Sequence, residues 1–192
     1  MRKLLVLTVA LAMTAGVGAW CVEAQETFRV NQEILGRLEF PVPNDEAGKK
    51  YLGLSEVDKF TLSQIKAETV ILEIFSMYCP ICQAEAPTVN ELHRMIERDA
   101  RLKGKVKIVG VGTGNTPFEV DVFRKKYDVP FPLFADEKFL IQKTSEDKIR
   151  TPTFLTLKIG LGTEPVVQGV HIGRLESPQK FLETLPGVSR RK

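Results

Sequence analysis

Cysteine and histidine are scarce in this chain, with three of the first and two of the second among 192 residues. A structural zinc centre normally takes four thiolate or imidazole ligands from two close pairs. Here only Cys79 and Cys82 are paired, while His93 and His171 stand alone, so that class is excluded. Charge of one sign is equally short. Lys and Arg number 27 against 24 Asp and Glu, with no long basic run, and nucleic acid is not implied as a partner. The sequence also lacks a repeat of solenoid or propeller period, a low-complexity tract and a nucleotide-binding fingerprint. What remains is 43% hydrophobic and 27% charged residues, enough for one ordinary core and therefore one domain with extensions.

The first two dozen residues differ from the rest. "MRKLLVLTVALAMTAGVGAW" begins with Arg2 and Lys3, continues as an apolar stretch from Leu4 and ends in small residues. That order is the order of a secretory signal, with cleavage expected after Ala24. The same segment kept as a membrane anchor is one alternative, although Leu4 to Trp20 is short for a span. Acylation at Cys21 is another, disfavoured by Trp20 before it. Removal of 1–24 leaves Cys79 and Cys82 as the remaining cysteines, in a periplasmic or otherwise extracytoplasmic setting where disulfides persist.

Residues 25–50, with "FPVPNDEAGKK", read as an extended lead-in holding at most one short strand. A domain is expected over 51–188, followed by a basic tail at 189–192. Its first element is the buried strand Thr69 to Phe75, then a helix from Pro80 to about Arg98 with Val89, Leu92, Met95 and Ile96 on one face. "KVKIVGVGT" reads as a strand. Thr116, Pro117 and Glu119 start a second helix with a capping hydroxyl, a first-turn proline and a carboxylate three residues after the cap. "FPLFAD" is a short strand and "FLIQKTSEDKI" a further helix. "TPTFLTLKIG" and "EPVVQGVHIG" form an antiparallel hairpin turning at 160–163, and "SPQKFLETL" is the last helix. Strands alternating with helices predict an α/β sandwich of three layers: a central mixed sheet with helices on both faces.

Two sulfurs three residues apart can bind metal, staple the fold or exchange electrons. A bridge closing so short a loop removes little unfolded-chain entropy, so a purely structural disulfide is a weak staple. Exchange chemistry fits the position. The apolar strand ends near Tyr78 and Pro80 begins a helix, which puts Cys79 at the cap, facing unpaired N–H groups and the positive end of the helix dipole. A thiolate is favoured there, so Cys79 is the expected nucleophile and Cys82, deeper in the helix, the resolving sulfur.

"VILEIFSMYCPICQAEAP" resembles the active-site region of the thioredoxin superfamily. Glu73, six residues before Cys79, matches the family's buried acid, and Pro87, five after Cys82, matches the proline in its first helix. "TPTFLTL" matches the family's cis-proline segment, which makes Pro152 that proline and Thr151 its neighbour. "HIGRLESPQKFLETL" resembles the closing strand, glycine and helix, with Gly173 as the glycine. The segment "VKIVGVGTGNTPFEVDVFRKKYDVPFPLFADE", together with the secretory start, is similar to the TlpA/ResA-like branch. The resemblance spans roughly 51–185. It implies an extracytoplasmic enzyme, a protein thiol–disulfide oxidoreductase without a bound cofactor, often reductive and linked to cytochrome c maturation. Protein thiols and disulfides would be its substrates, a membrane thiol reductant its electron source, and a monomer its working state. Two departures stand out: Tyr78 replaces the usual tryptophan before the first cysteine, and Pro80-Ile81 separates the sulfurs with proline first.

The implied roles are therefore a catalytic Cys79, Cys82 and Glu73, with Glu73 relaying a proton to or from Cys82, and a substrate surface of Tyr78, Pro80, Ile81, Thr151 and Pro152. Each has a plainer reading. Glu73 could face a polar rim or pair with a lysine, Pro152 could be an ordinary trans turn proline, and Tyr78 could cap the strand end. His93 is expected to be solvated, His171 to pack or hydrogen-bond, and "FRKKY" to be a wet helix face. Two other functions compete: a copper chaperone using Cys79, Cys82 and His171, and a peroxidase of the peroxiredoxin type, which Ser76 echoes but which lacks its proline at Leu72.

Overall fold

The computed structural model describes residues 29–55, 57–146, 148–160 and 163–188. The expected signal at 1–24, Cys21 and the basic tail at 189–192 lie outside the described residues. In chain order the first elements are α1 (Gln32–Gly36), β1 (Glu39–Pro41), α2 (Glu46–Leu52), β2 (Lys59–Thr61), β3 (Thr69–Phe75) and α3 (Pro80–Arg98). Then come β4 (Val106–Thr113), α4 (Pro117–Lys126), β5 (Leu133–Asp136), β6 (Thr153–Lys158), β7 (Val166–Ile172) and α5 (Pro178–Thr184).

β3 is buried along its whole length, which requires cover on both faces. It lies at the centre of a five-stranded sheet of order β5-β4-β3-β6-β7. It runs parallel to β4 and antiparallel to β6, so the sheet is mixed as expected. Because β3, β4 and β5 are parallel and step in one direction, right-handed crossovers put α3 and α4 on the same face. There Ile71 and Phe75 of β3 pack with Cys82, Val89 and Leu92 of α3, Phe123 of α4 and Phe181 of α5.

The other face carries Val70, Leu72 and Ile74, and its cover corrects the expectation for 25–50. Over its described residues, 29–50, that segment is no extended lead-in. Leu35 of α1, Phe40 of β1, Leu52 of α2 and Phe60 of β2 are packed into this second core, and a boundary at 51 would cut through α2. Phe40, Phe60 and Phe134 stack with ring centroids 5.3 to 5.9 Å apart. The helices escape a periodicity reading because α1 has five residues and α2 seven, too few for a 3.6-residue repeat to register. Their signals are caps: Asn31 Oδ1 accepts from Ile34 N at 3.1 Å, and Gly53 closes α2 at φ 70°. Tyr51 adds a bond that secondary structure alone would leave unmade. β5 pairs with β4 only from Gly110 onward, and the Tyr51 hydroxyl accepts from Ile108 N at 2.8 Å.

The second difference lies at 139–149, expected to be helical. Only a short 3-10 turn forms, Gln142–Ser145, bounded by Phe139 and Glu146 at positive φ. The remaining elements match their expected positions. β3 and α3 span Thr69–Phe75 and Pro80–Arg98, α4 starts with the Thr116–Glu119 capping box, and β6 and β7 pair antiparallel with one irregularity beside Thr156.

Candidate active site

The buried strand β3 delivers the chain to a tight loop, Ser76 to Tyr78, closed by Cys79 N donating to Ser76 O at 3.1 Å. Asn115, itself fully buried, fixes that loop from the end of β4. Its Oδ1 accepts from Met77 N at 2.8 Å and its Nδ2 donates to Ser76 Oγ at 3.4 Å. Gln83 Nε2 holds Met77 O at 2.7 Å. Cys79 is then the N-cap of α3 and its sulfur accepts from Cys82 N at 3.3 Å, the bond a capping serine oxygen would make. Pro80 follows at the first helical position, where a missing N–H has no consequence.

The peptide between Thr151 and Pro152 is cis, and Thr151 O accepts from Cys79 Sγ at 3.4 Å. Gly173, at φ 92°, ties this turn to the end of β7 by donating to Pro152 O at 2.8 Å. The structure thus brings Cys79, Cys82, Thr151 and Pro152 together from positions 72 residues apart. The two thiols differ sharply. Partial burial works against a Cys79 thiolate, but hydrogen bonds with the Cys82 and Thr151 side chains and the N–H groups of Cys82 and Ile81 outweigh it, and its pKa is lowered. Burial drives the Cys82 pKa far up, and the neighbouring Cys79 sulfur adds to the rise. One sulfur is half-buried with a lowered pKa, and the other is buried with a raised one.

Glu73 lies on the β3 face shared with Ile71 and Phe75, the face that α3 and Cys82 cover. It neither reaches a polar rim nor pairs with a lysine. The carboxyl is buried, one oxygen has no hydrogen-bond partner, and its pKa is pushed up to about 8 by desolvation and then by Glu85. Glu85 is a site residue that sequence reasoning missed. It is fully buried on α3, accepting from Arg174 Nε at 2.9 Å and Leu175 N at 3.0 Å. Its signal was a carboxylate one turn beyond Cys82 on the same helix face, where an apolar residue would be expected.

Tyr78, Pro80 and Ile81 surround Cys79 at the surface. The Tyr78 hydroxyl donates to Glu119 of α4, which raises the phenol's pKa and lowers that of the carboxyl. His171 packs against Phe154 and Phe181, and its Nε2 lies 2.8 Å from Arg174 O. Among the described residues no group of three His, Cys, Asp or Glu side chains is placed to hold a metal ion, so the copper chaperone's ligand set is not assembled. His93 is not solvated as expected. Its ring sits between Tyr51 and Phe131, with centroids at 5.7 and 5.8 Å, and Nε2 is buried without a partner. A cavity of about 910 Å³ lies beside that ring between α2, α4 and β5, away from the sulfurs. Chemistry outranks volume here, because the cavity gathers neither cysteine.

Residues 38–146 match the AhpC/TSA family. The thiol-disulfide oxidoreductase ResA of Oceanobacillus iheyensis is 33% identical over 125 residues, covering 63% of this chain and 62% of that protein. ResA of Bacillus cereus is 30% identical over 112 residues, covering 58% and 62%. The chain therefore spans about three fifths of the length of these curated relatives. Among solved structures, a thiol:disulfide interchange protein DsbE from Chlorobium tepidum superposes with TM-score 0.53 at 17% identity, over 76% of this chain and 87% of that one. A secreted Mycobacterium tuberculosis disulfide oxidoreductase gives 0.51 at 19%, over 78% and 93%. At these identities the structural likeness is one of fold. The chain has a thioredoxin-like fold and belongs to the AhpC/TSA family.

Proposed function

We propose that the protein is an extracytoplasmic thiol–disulfide oxidoreductase that reduces protein disulfides through Cys79 and Cys82, with cytochrome c maturation as its setting. One observation carries the reading. The Cys79 sulfur sits on the N–H of Cys82 at a helix start, beside the carbonyl of a cis-proline turn, with a protonated partner thiol beneath it. The relatives named ResA and the secretory character of residues 1–24 support the setting.

In the dithiol form the Cys79 thiolate attacks one sulfur of a substrate disulfide. A Cys79–substrate bond forms and the other substrate sulfur leaves as thiolate, taking a proton. In the molecules whose Glu73 is ionised, a fraction that grows as pH nears its pKa of about 8, Cys82 gives its proton to that carboxylate and attacks Cys79, displacing the second substrate thiolate. Two electrons pass to the substrate, whose two thiolates take their protons from solvent, and the protein is left with a Cys79–Cys82 disulfide and the Cys82 proton on Glu73. A membrane-held dithiol then reverses the same steps on the protein, which acts as a monomer. Thr151 and Pro152 offer backbone for a substrate strand to lie beside the sulfurs.

The test is a Cys82→Ala variant offered an oxidised protein substrate. Exchange predicts a mixed disulfide that accumulates on Cys79 and is released by added dithiol. Peroxide turnover by the same variant would favour the peroxidase instead. A potential for the couple near −270 mV fits a reductant, and one near −120 mV would overturn the direction.

A further inference from the structure

Parallel strands β3, β4 and β5 end at one edge of the sheet, and each is followed by an exposed aromatic ring. Tyr78 follows β3, Phe118 opens α4 after β4, and Phe139 follows β5, with exposures of 65%, 75% and 53%. Ile81, beside Cys79, is 50% exposed. Hydrogen bonds and contacts join these loops. Glu119 accepts from the Tyr78 hydroxyl and from Thr116 N, and Asn115 binds Met77 N. The Phe139 ring lies on Gly114, where a β-carbon would fall 2.5 Å from it.

Phe139 also stands in a conformation that its size disfavours, at φ 54°. The buried Asp136 imposes it. Its backbone oxygen accepts from Phe139 N at 3.2 Å, and its carboxylate accepts from Leu140 N at 2.8 Å and Ile141 N at 2.9 Å. A buried polar scaffold thus holds an apolar ring in water on strained backbone, which the core does not need.

We infer that this aromatic edge is a docking surface for the polypeptide bearing the exchanged disulfide, and that it selects apolar residues flanking that disulfide. The inference rests on the exchange reading of Cys79. Its occupant follows from continuity: whatever bonds to Cys79 must lie across the adjacent Tyr78 and Ile81, and Phe118 and Phe139 extend that surface along the same sheet edge. Charge does not compete, because Glu119 is tied to Tyr78 and Asp136 to backbone N–H groups, while Glu137 and Lys138 beside Phe139 are of opposite sign.

Two synthetic peptides, each closed by one disulfide and differing only in leucine or serine flanks, test it. The dithiol protein should reduce the leucine peptide roughly tenfold faster, the factor for about 1.4 kcal/mol of contact. In a Phe118→Ala, Phe139→Asn double variant the ratio should approach one. Asparagine tolerates the left-handed backbone, and a retained cooperative melt establishes that the variant is folded. Equal rates in the parent, or an unchanged ratio in the folded variant, would overturn the inference. So would sedimentation as a dimer with no peptide preference, which assigns the edge to a second copy. Failure of the parent to reduce either peptide or glutathione disulfide is a different result: it removes the exchange reading, and the docking surface with it.

Discussion

Glu73 holds a proton at a pH where a free carboxyl does not, and its surroundings explain why. Desolvation penalises the charge, Glu85 adds like-sign repulsion, and one oxygen finds no donor. The folded pKa of about 8 exceeds the unfolded 4.5, so between those values the native state binds the extra proton. The group's contribution to stability is full below the lower value and is lost as pH rises to the upper one, at up to about 1.4 kcal/mol per pH unit. Urea titrations across that range should show this slope, and Glu73→Gln should flatten it. A parent whose stability is level with pH would refute the assignment. Cys79 and Cys82 titrate far apart for related reasons. Iodoacetamide should label Cys79 with a midpoint below an ordinary thiol's, and Cys82 should resist labelling to high pH; equal labelling would contradict the asymmetry. These three residues were legible because each is chemically out of place for a core strand or a helix start. Glu85 was not, since its burial depends on Arg174, 89 residues further on, and a lone helical glutamate reads as solvated.

Elements hold the site through loops more than through their own hydrogen bonds. The Ser76–Tyr78 loop is set by Asn115, and Asn115→Ala would leave the Met77 N–H without its acceptor, costing about 1–3 kcal/mol. Because Ser76 backbone also supports the Cys82 sulfur, the expected effect reaches chemistry: the melting temperature falls and the Cys79–Cys82 potential moves with it. A variant that lost stability at an unaltered potential would restrict Asn115 to a structural part. β3, α3 and the α4 capping box could be read in advance because each carries a complete local signal, an unbroken apolar run or a cap with its matching carboxylate. The turn at 142–145 could not. Its apolar residues suit a helix, but Asp136 spends both carboxylate oxygens on Leu140 and Ile141 and redirects the chain.

At the scale of the whole molecule, the five-stranded sheet has two apolar faces and only one is covered by the long helices. The sequence implied cover on both faces, yet the α1–β2 segment, which supplies the second, looked like a tail because its pieces are too short to show a period. Its removal would uncover Val70, Leu72, Ile74, Leu155 and Leu157, all fully buried. At about 1.5–3 kcal/mol for each side chain, the loss is on the order of 10 kcal/mol, comparable to the whole stability of a domain this size. A protein beginning at residue 62 should therefore lose its cooperative melt and bind an apolar dye, while the full chain retains a single transition. Loss of Tyr51 alone is a milder version of the same experiment. Tyr51→Phe keeps the ring against His93 and removes the hydroxyl from Ile108 N, so a drop of about 1–3 kcal/mol with the potential unchanged is expected. Should the truncated protein melt sharply near the parent temperature, the second face would need some other cover, and the α1–β2 segment would be an appendage after all.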